Sequence, residues 1–224
     1  RMRSRRPKVL HAVGGRPMLA HVLATARTLS PRAMHVVYGH GGEQVRAAVS
    51  DPEINWVHQA EQHGTGHALA QALPSVASDA RVLVLYGDVP LIRAATLKQL
   101  IAAAGDGLGV LTARLEKPAG YGRIVRDPAG RVARIVEDKD ATAAERAIDE
   151  INTGFLAAPA GRLKGWVAAL RNHNAQGEYY LTDIIGMAAA EGQPIGSHTA
   201  TEVAEILGVN SPQELARVER HFQK

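Results

Sequence analysis

The chain has 224 residues, 46% of them hydrophobic, and no cysteine, so a sizeable core can form while a disulfide framework and a thiolate zinc site are excluded. The formal net charge is +4, and the positive excess gathers in Arg1, Arg3, Arg5, Arg6 and Lys8, while only 4% of residues are aromatic, which leaves little for stacking on nucleic acid bases. No apolar run reaches membrane-spanning length, so a soluble cytoplasmic protein without a signal peptide or membrane insertion is expected.

Met18, Leu19, Val22, Leu23, Ala26 and Leu29 recur at helical spacing. Met34–Tyr38 reads as a short strand running into Gly39-His40-Gly41-Gly42, and a helix is expected over 43–49. The next strand, Ile54–His58, ends at Gln59. A Gly64-Thr65-Gly66 turn opens a helix over 67–73. The continuous apolar run over 81–86 marks a buried strand stopped by Gly87-Asp88, and Pro90 and Thr96 lead into a helix through Ala104. This alternation implies an α/β fold with βαβ units and right-handed crossovers. In such folds ligands sit beyond the carboxyl ends of the strands. Gly39, Gln59, Gly87 and Asp88 fall at those ends.

The second half changes character. Strands are expected over 109–115, then over 121–126 and 131–137, the last two forming a hairpin about Asp127-Pro128-Ala129-Gly130. A helix over 142–148, a strand through 152–155 and helices over 161–170 and 182–190 follow, with a polar loop at 172–178. Late strands at 195–198 and 205–209 lead to Asn210. A final helix is opened by Ser211, Pro212 and Glu214 in capping-box spacing and runs off the end of the chain.

Asp88 is the first candidate for chemistry. A carboxylate that closes a hydrophobic strand needs a cap, a salt bridge or a cation; magnesium takes one or two protein oxygens and completes its shell with water and phosphate. Gly64-Thr65-Gly66 serves either a close backbone approach to a ligand or a plain tight turn. The basic amino terminus suits a polyphosphate, a nucleic acid or a solvated tail. His58, His63 and His67 lack a further ligand at zinc spacing. Trp56 and Trp166 read as core.

Several strings then fall in a familiar order. R-M-x-S-x-x-P-K-V-L-H opens the chain, followed by Q-A-E-Q-x-G-T-G-H-A (59–68), L-Y-G-D-V-P-L (85–91), G-Y-G-R-I (120–124), I-V-E-x-K-D (135–140), E-I-N-T-G (150–154), N-A-Q-G-E-Y-Y-L-T-D-I (174–184) and G-V-N (208–210). Together they resemble the uridylyltransferase domain of the bacterial bifunctional N-acetylglucosamine-1-phosphate uridyltransferase/glucosamine-1-phosphate acetyltransferase family, over essentially the whole chain. The resemblance implies a Rossmann-like nucleotide-diphospho-sugar transferase fold, with a mixed, mostly parallel sheet flanked by helices and a small β-hairpin sugar-binding lobe. It implies Mg²⁺-dependent formation of UDP-N-acetylglucosamine and pyrophosphate from UTP and N-acetylglucosamine-1-phosphate, which supplies cell-wall peptidoglycan and lipopolysaccharide.

Carried over by position, Arg1 and Lys8 would face the triphosphate as catalytic cations. Gln59, Gly64 and Thr65 would hold the uracil. Tyr86, Gly87 and Asp88 would line the ribose, and Asp88 and Asn210 would bind the metal. Gly122, Glu137 and Asn152 would bind the sugar, with Tyr180, Thr182 and Asn210 nearby. The family's Gly-rich L-A-A-G-x-G-T segment does not precede Arg1, and its hexapeptide repeats do not follow Lys224. An incomplete nucleotidyltransferase domain over 1–210 is therefore expected, then at 211–224 the start of a linker helix. The domain beyond it would carry acetyltransferase activity and the homotrimer contacts. Another sugar-1-phosphate or nucleotide, or a non-catalytic sugar-nucleotide-binding module, are the competing expectations.

Overall fold

Strands and helices alternate through the first half as the apolar runs require. The structure, a computed structural model, describes residue 2 and residues 4–223. A 3-10 turn at Lys8–Leu10 precedes a short hairpin, β1 (Ala12–Val13) and β2 (Arg16–Pro17), and helix α1 (Met18–Arg27). Then come β3 (Met34–Tyr38), α2 (Gly42–Ala48), β4 (Ile54–His58), α3 (Thr65–Ala72), β5 (Arg81–Val84) and α4 (Ala94–Ala104). The second half runs β6 (Leu108–Arg114), β7 (Arg123–Arg126), β8 (Val132–Val136), α5 (Ala143–Arg146) and β9 (Glu150–Pro159). It closes with α6 (Ala160–Ala169), α7 (Asp183–Ala190), β10 (Ile195–Thr199) and α8 (Pro212–Phe222).

The chain forms two compact units. The first takes the chain through Ala60, Leu85–Lys98 and the chain from Glu202; the second takes Glu61–Val84 and Gln99–Thr201.

In the first unit β3 and β4 pair in parallel, Met34 against Ile54 and Tyr38 against His58. The apolar face of α1 supplies Leu19 and Leu23 to a core with Leu10, Val45 and Ile54, against which Trp56 packs. A second cluster joins Val13, Met18, Val209 and Val218. Val218 belongs to α8, so the last helix is part of this unit's core. Its start is capped as the Ser-Pro-x-Glu pattern predicts: Glu214 N donates to Ser211 Oγ at 3.2 Å. The Glu214 carboxylate, however, reaches one residue further back and accepts from Asn210 N at 2.7 Å. At the other end Gly14 N donates to Glu219 Oε2 at 2.8 Å, and the Phe222 ring lies so close over Gly14 that a Cβ there would sit 2.0 Å from it.

In the second unit one mixed sheet runs β10-β6-β9-β7-β8, with β5 also on β9. β6 and β10 are parallel, while β9 lies antiparallel to both β5 and β6. The β7–β8 hairpin forms about the Asp127 turn, where Gly130 N donates to Asp127 O at 2.9 Å and Ala129 N to Asp127 Oδ1 at 2.9 Å. Its core gathers Leu108, Ile124, Ile135, Leu156, Leu163, Trp166 and Ile184. Trp166 Nε1 also finds a partner, donating to Glu191 Oε2 at 3.1 Å.

Two expected elements differ. The residues at 205–209 make no strand; a 3-10 turn at Val203–Ile206 takes their place. Glu205 sets it: its carboxylate, 3% exposed, accepts from Arg93 N at 3.3 Å, the Arg93 guanidinium and Thr96 Oγ1, which ties the segment by a side chain where a strand would need a ladder. β5 stops at Val84 and is half-buried rather than buried. Among the described residues it pairs with β9 alone.

Candidate functional site

The first unit brings Lys8, Asp88 and Asn210 together. Beyond β5 the chain turns at Gly87-Asp88, with Val89 N donating to Tyr86 O at 3.2 Å. Gly87 is held tightly, for a Cβ there would lie 3.1 Å from Leu19 and 3.4 Å from Val9. Val209 N donates to Asp88 O at 3.0 Å, which sets Asn210 beside Asp88 although 122 positions separate them in sequence (210 less 88). Glu214 then fixes Asn210 from behind through its backbone N–H. Lys8, on the first 3-10 turn, reaches both side chains: Nζ donates to Asp88 Oδ2 and, at 2.8 Å, to Asn210 Oδ1. Two side chains from distant segments thus share the ammonium of a third.

This constellation also tests the metal expectation. A carboxylate oxygen and a carboxamide oxygen already converge on a single positive charge. Oxygen-only donors, two from protein, match the needs of magnesium, so the residues fit. Arg1 lies outside the described residues. Gln59 is 8% exposed at the end of β4, its N–H donating to Tyr38 O at 2.8 Å.

The second unit assembles the other residues in two places. At the start of α3, Tyr179 N donates to His63 O and Gly66 N to Tyr179 O, each at 2.8 Å, while Leu181 N donates to Thr65 Oγ1 at 3.3 Å. The approach is close enough to require glycine. Gly64 has φ +99°, and a Cβ on Gly66 would lie 2.8 Å from Tyr179 O. The Gly-Thr-Gly turn is therefore built by backbone contact with the 179–181 segment, and Thr65 Oγ1 is in use there. His63 is paired with Glu61, Nε2 to Oε2 at 2.8 Å.

The remaining sugar-site expectations meet around Glu137. Thr182 Oγ1 donates to Glu137 Oε1 at 2.8 Å. A Cβ on Gly122 would sit 3.0 Å from Ile135 Cγ2 and 3.4 Å from Glu137 Oε2, so a side chain there would crowd Ile135 and touch the carboxylate. Asn152 N donates to Gly122 O at 2.8 Å. A bulge in β9 aims Asn152: Val110 pairs with Leu156 but Thr112 with Asn152, so two steps on β6 answer four on β9. Gly154, at φ +91°, makes the bend, and its N–H donates to Asn152 Oδ1 at 3.0 Å. Tyr180 is 7% exposed, its hydroxyl accepting from Gln176 Nε2 at 3.0 Å.

Burial pushes the Glu137 carboxyl above the ordinary carboxylate range; the Thr182 hydroxyl partly opposes this, and the negative charges of Asp183, Asp140 and Asp138 add to it. Asp183 is raised by burial first and then by Asp140. A group so placed binds hydroxyls best when ionised. If Glu137 accepts from sugar hydroxyls, affinity for the sugar substrate should fall as the medium is acidified, beginning at a higher pH than an ordinary glutamate would set. Glu137→Gln should flatten that dependence and weaken binding about 10-fold at neutral pH. The check is the KM for the sugar substrate against pH in both proteins.

Arg123, inside the G-Y-G-R-I string, is a residue for which no role was expected. It is 2% exposed. Its guanidinium donates to Tyr121 O, to Asp138 Oδ1 at 3.0 Å and to Arg146 O at 3.5 Å. A basic residue next to Ile124 in a strand, followed by an acid just after the paired strand, was the available signal.

Comparison with known proteins identifies the family and the fold. The family model of the MobA-like NTP transferase domain matches residues 1–151. The chain is 56% identical over 224 residues to the bifunctional protein GlmU of Alkalilimnicola ehrlichii, all of this chain and 48% of that protein. It is 58% identical over 225 residues to the bifunctional protein GlmU of Cupriavidus pinatubonensis, all of this chain and 50% of that one. The chain thus spans about half the length of the curated relatives it matches. Among solved structures, a UDP-glucose pyrophosphorylase complexed with UDP-glucose superimposes with a TM-score of 0.77 at 12% identity, covering 97% of this chain and 90% of that one. A nucleotidyl transferase from Methanothermobacter thermautotroptrophicus gives 0.65 at 18% identity, covering 96% and 85%. Those two likenesses establish the fold, the Rossmann-like nucleotide-sugar transferase fold with its mixed sheet. On the match over residues 1–151, the chain belongs to the MobA-like NTP transferase domain family.

Proposed function

We propose that the chain transfers a uridylyl group from UTP to N-acetylglucosamine-1-phosphate, giving UDP-N-acetylglucosamine and pyrophosphate. The observation that carries this reading is the meeting of Lys8 with Asp88 and Asn210 on one unit. Support comes from the second unit, where Glu137, Gly122, Asn152 and Thr182 gather hydroxyl-binding groups, and from the similarity to GlmU proteins over the whole chain.

A phosphate oxygen of the sugar phosphate attacks the α-phosphorus of UTP. A new P–O bond forms there, the bond between the α-phosphorus and the bridging oxygen breaks, and pyrophosphate leaves with that oxygen. The nucleophile is already an anion, so no side chain has to take a proton. The work is positioning and charge neutralisation. Lys8 supplies a mobile positive charge for the triphosphate, and Arg1 is assigned the same role. Family members generally use a divalent metal. We assign magnesium as that metal here and Asp88 and Asn210 as its protein ligands; when bound it would neutralise phosphate charge. Gln59, Gly64 and Thr65 are assigned to the uracil, Tyr86 and Gly87 to the ribose. Gly122, Glu137 and Asn152 are assigned to the sugar, with Tyr180 and Thr182 beside it; Thr182 Oγ1 bonds Glu137.

The test is pyrophosphate release from UTP and N-acetylglucosamine-1-phosphate with Mg²⁺. Turnover with this pair well above that with glucose-1-phosphate or with other nucleoside triphosphates is expected. Binding of UDP-N-acetylglucosamine without any turnover would instead make the chain a sugar-nucleotide-binding module.

A further inference from the structure

The sugar-site residues lie just beyond the end of a β-ladder, and something other than the ladder must hold them. β7 and β8 pair from Arg126 and Val132 up to Arg123 and Val136, and there the pairing stops. Gly122 and Glu137 are the next residues on each strand, outside the ladder. Yet their separation matters, because the Glu137 carboxylate is in van der Waals range of the missing Gly122 Cβ.

The Arg123 side chain spans that gap. It donates to the carbonyl of Tyr121, one residue before Gly122, and to the carboxylate of Asp138, one residue after Glu137. A third contact reaches Arg146 O at the end of α5. The guanidinium is almost wholly buried, while Asp138 is 31% exposed. Its Nε is buried and has no partner among the described residues. Burying a charge with one donor unmet is costly, and a neutral apolar side chain would fill the same space more cheaply. A planar fork, however, fixes several acceptors at set distances, which neither a lysine nor an apolar residue can do.

We propose that Arg123 is a positioning residue for the sugar phosphate: it holds Gly122 and Glu137 at the spacing that binds the sugar. It touches no substrate. The inference rests on the assignment of Gly122 and Glu137 to the sugar under the function above. Its effect should fall on one substrate only, because the acceptors that Arg123 binds, on Tyr121, Asp138 and Arg146, include none of the groups assigned to UTP.

The experiment compares wild type, Arg123→Lys and Asp138→Asn in steady-state kinetics, varying each substrate in turn. Arg123→Lys should raise the KM for N-acetylglucosamine-1-phosphate about 10-fold and leave the KM for UTP within about twofold. Asp138→Asn keeps the buried arginine and removes one arm, so a smaller shift of the same kind is expected. The double variant should be no worse than Arg123→Lys alone, since both act through one contact. Equal shifts in both KM values, or none, would overturn the proposal. If Arg123→Lys does not fold, Asp138→Asn decides: an unchanged KM for the sugar phosphate sinks the idea. Absence of turnover in wild type would overturn the uridylyl reading and this inference with it, whereas wild-type turnover with unshifted variants would overturn this inference alone.

Discussion

Asp88→Ala should lower the rate of pyrophosphate release by roughly 10²–10³, the cost of losing one preorganised charge-stabilising group. Loss of the carboxylate removes an assigned metal ligand and the partner of Lys8 at once. The fold should survive, for two reasons. Both side chains remain partly exposed, at 37% for Lys8 and 17% for Asp88, and ion pairs of that kind add little to stability. In addition, the bond that brings Asn210 into place is accepted by the backbone carbonyl of Asp88, which alanine keeps. Binding of Mn²⁺ to the free protein, followed by calorimetry, should fall together with the rate, while the thermal unfolding midpoint stays near that of wild type. Full activity in the variant would remove Asp88 from the site, and unchanged Mn²⁺ binding would remove it from the metal.

How much of this was readable in the sequence depends on what kind of contact carried each feature. β3 and β4 fall where their apolar runs place them, because a short parallel strand is specified by its own residues. The start of α8 was legible for the same reason: Ser211, Pro212 and Glu214 cap it locally. The expected strand at 205–209 failed because a buried Glu205 binds Arg93 and Thr96, partners more than a hundred residues away that no local pattern displays. The motifs named Glu137, Gly122, Asn152 and Thr182 as companions. What they could not give was the means: a bulge at Gly154 that aims Asn152, and a hydroxyl that meets Glu137 across 45 positions. Arg123 stood in plain sight in its motif. Its direction was hidden, since alternation along a strand does not say which polar side chain turns inward to clamp the ladder's end.

Lys8→Met should produce two effects of opposite sign. Lys8 Nζ holds Asp88 and Asn210 together where a metal would otherwise share their oxygens. An ammonium and a divalent cation compete for the same negative charge, so the lysine lowers the metal affinity of the nucleotide-free protein. Methionine keeps most of the side chain's length and apolar bulk and removes the charge. Mn²⁺ should therefore bind the free variant more tightly, by about 10-fold, the size of one moderately screened charge contact. The rate should nevertheless fall roughly 10²–10³, because the same ammonium is the cation assigned to the triphosphate in the reaction. A simple structural role for Lys8 predicts otherwise: disordering Asp88 and Asn210 would weaken metal binding and rate together. Titration of Mn²⁺ into both proteins by electron paramagnetic resonance, beside single-turnover rates, separates the two. Tighter metal with slower turnover supports one ammonium serving first as the site's internal counter-ion and then as a ligand of the phosphates. Weaker metal with slower turnover would reduce Lys8 to a strut.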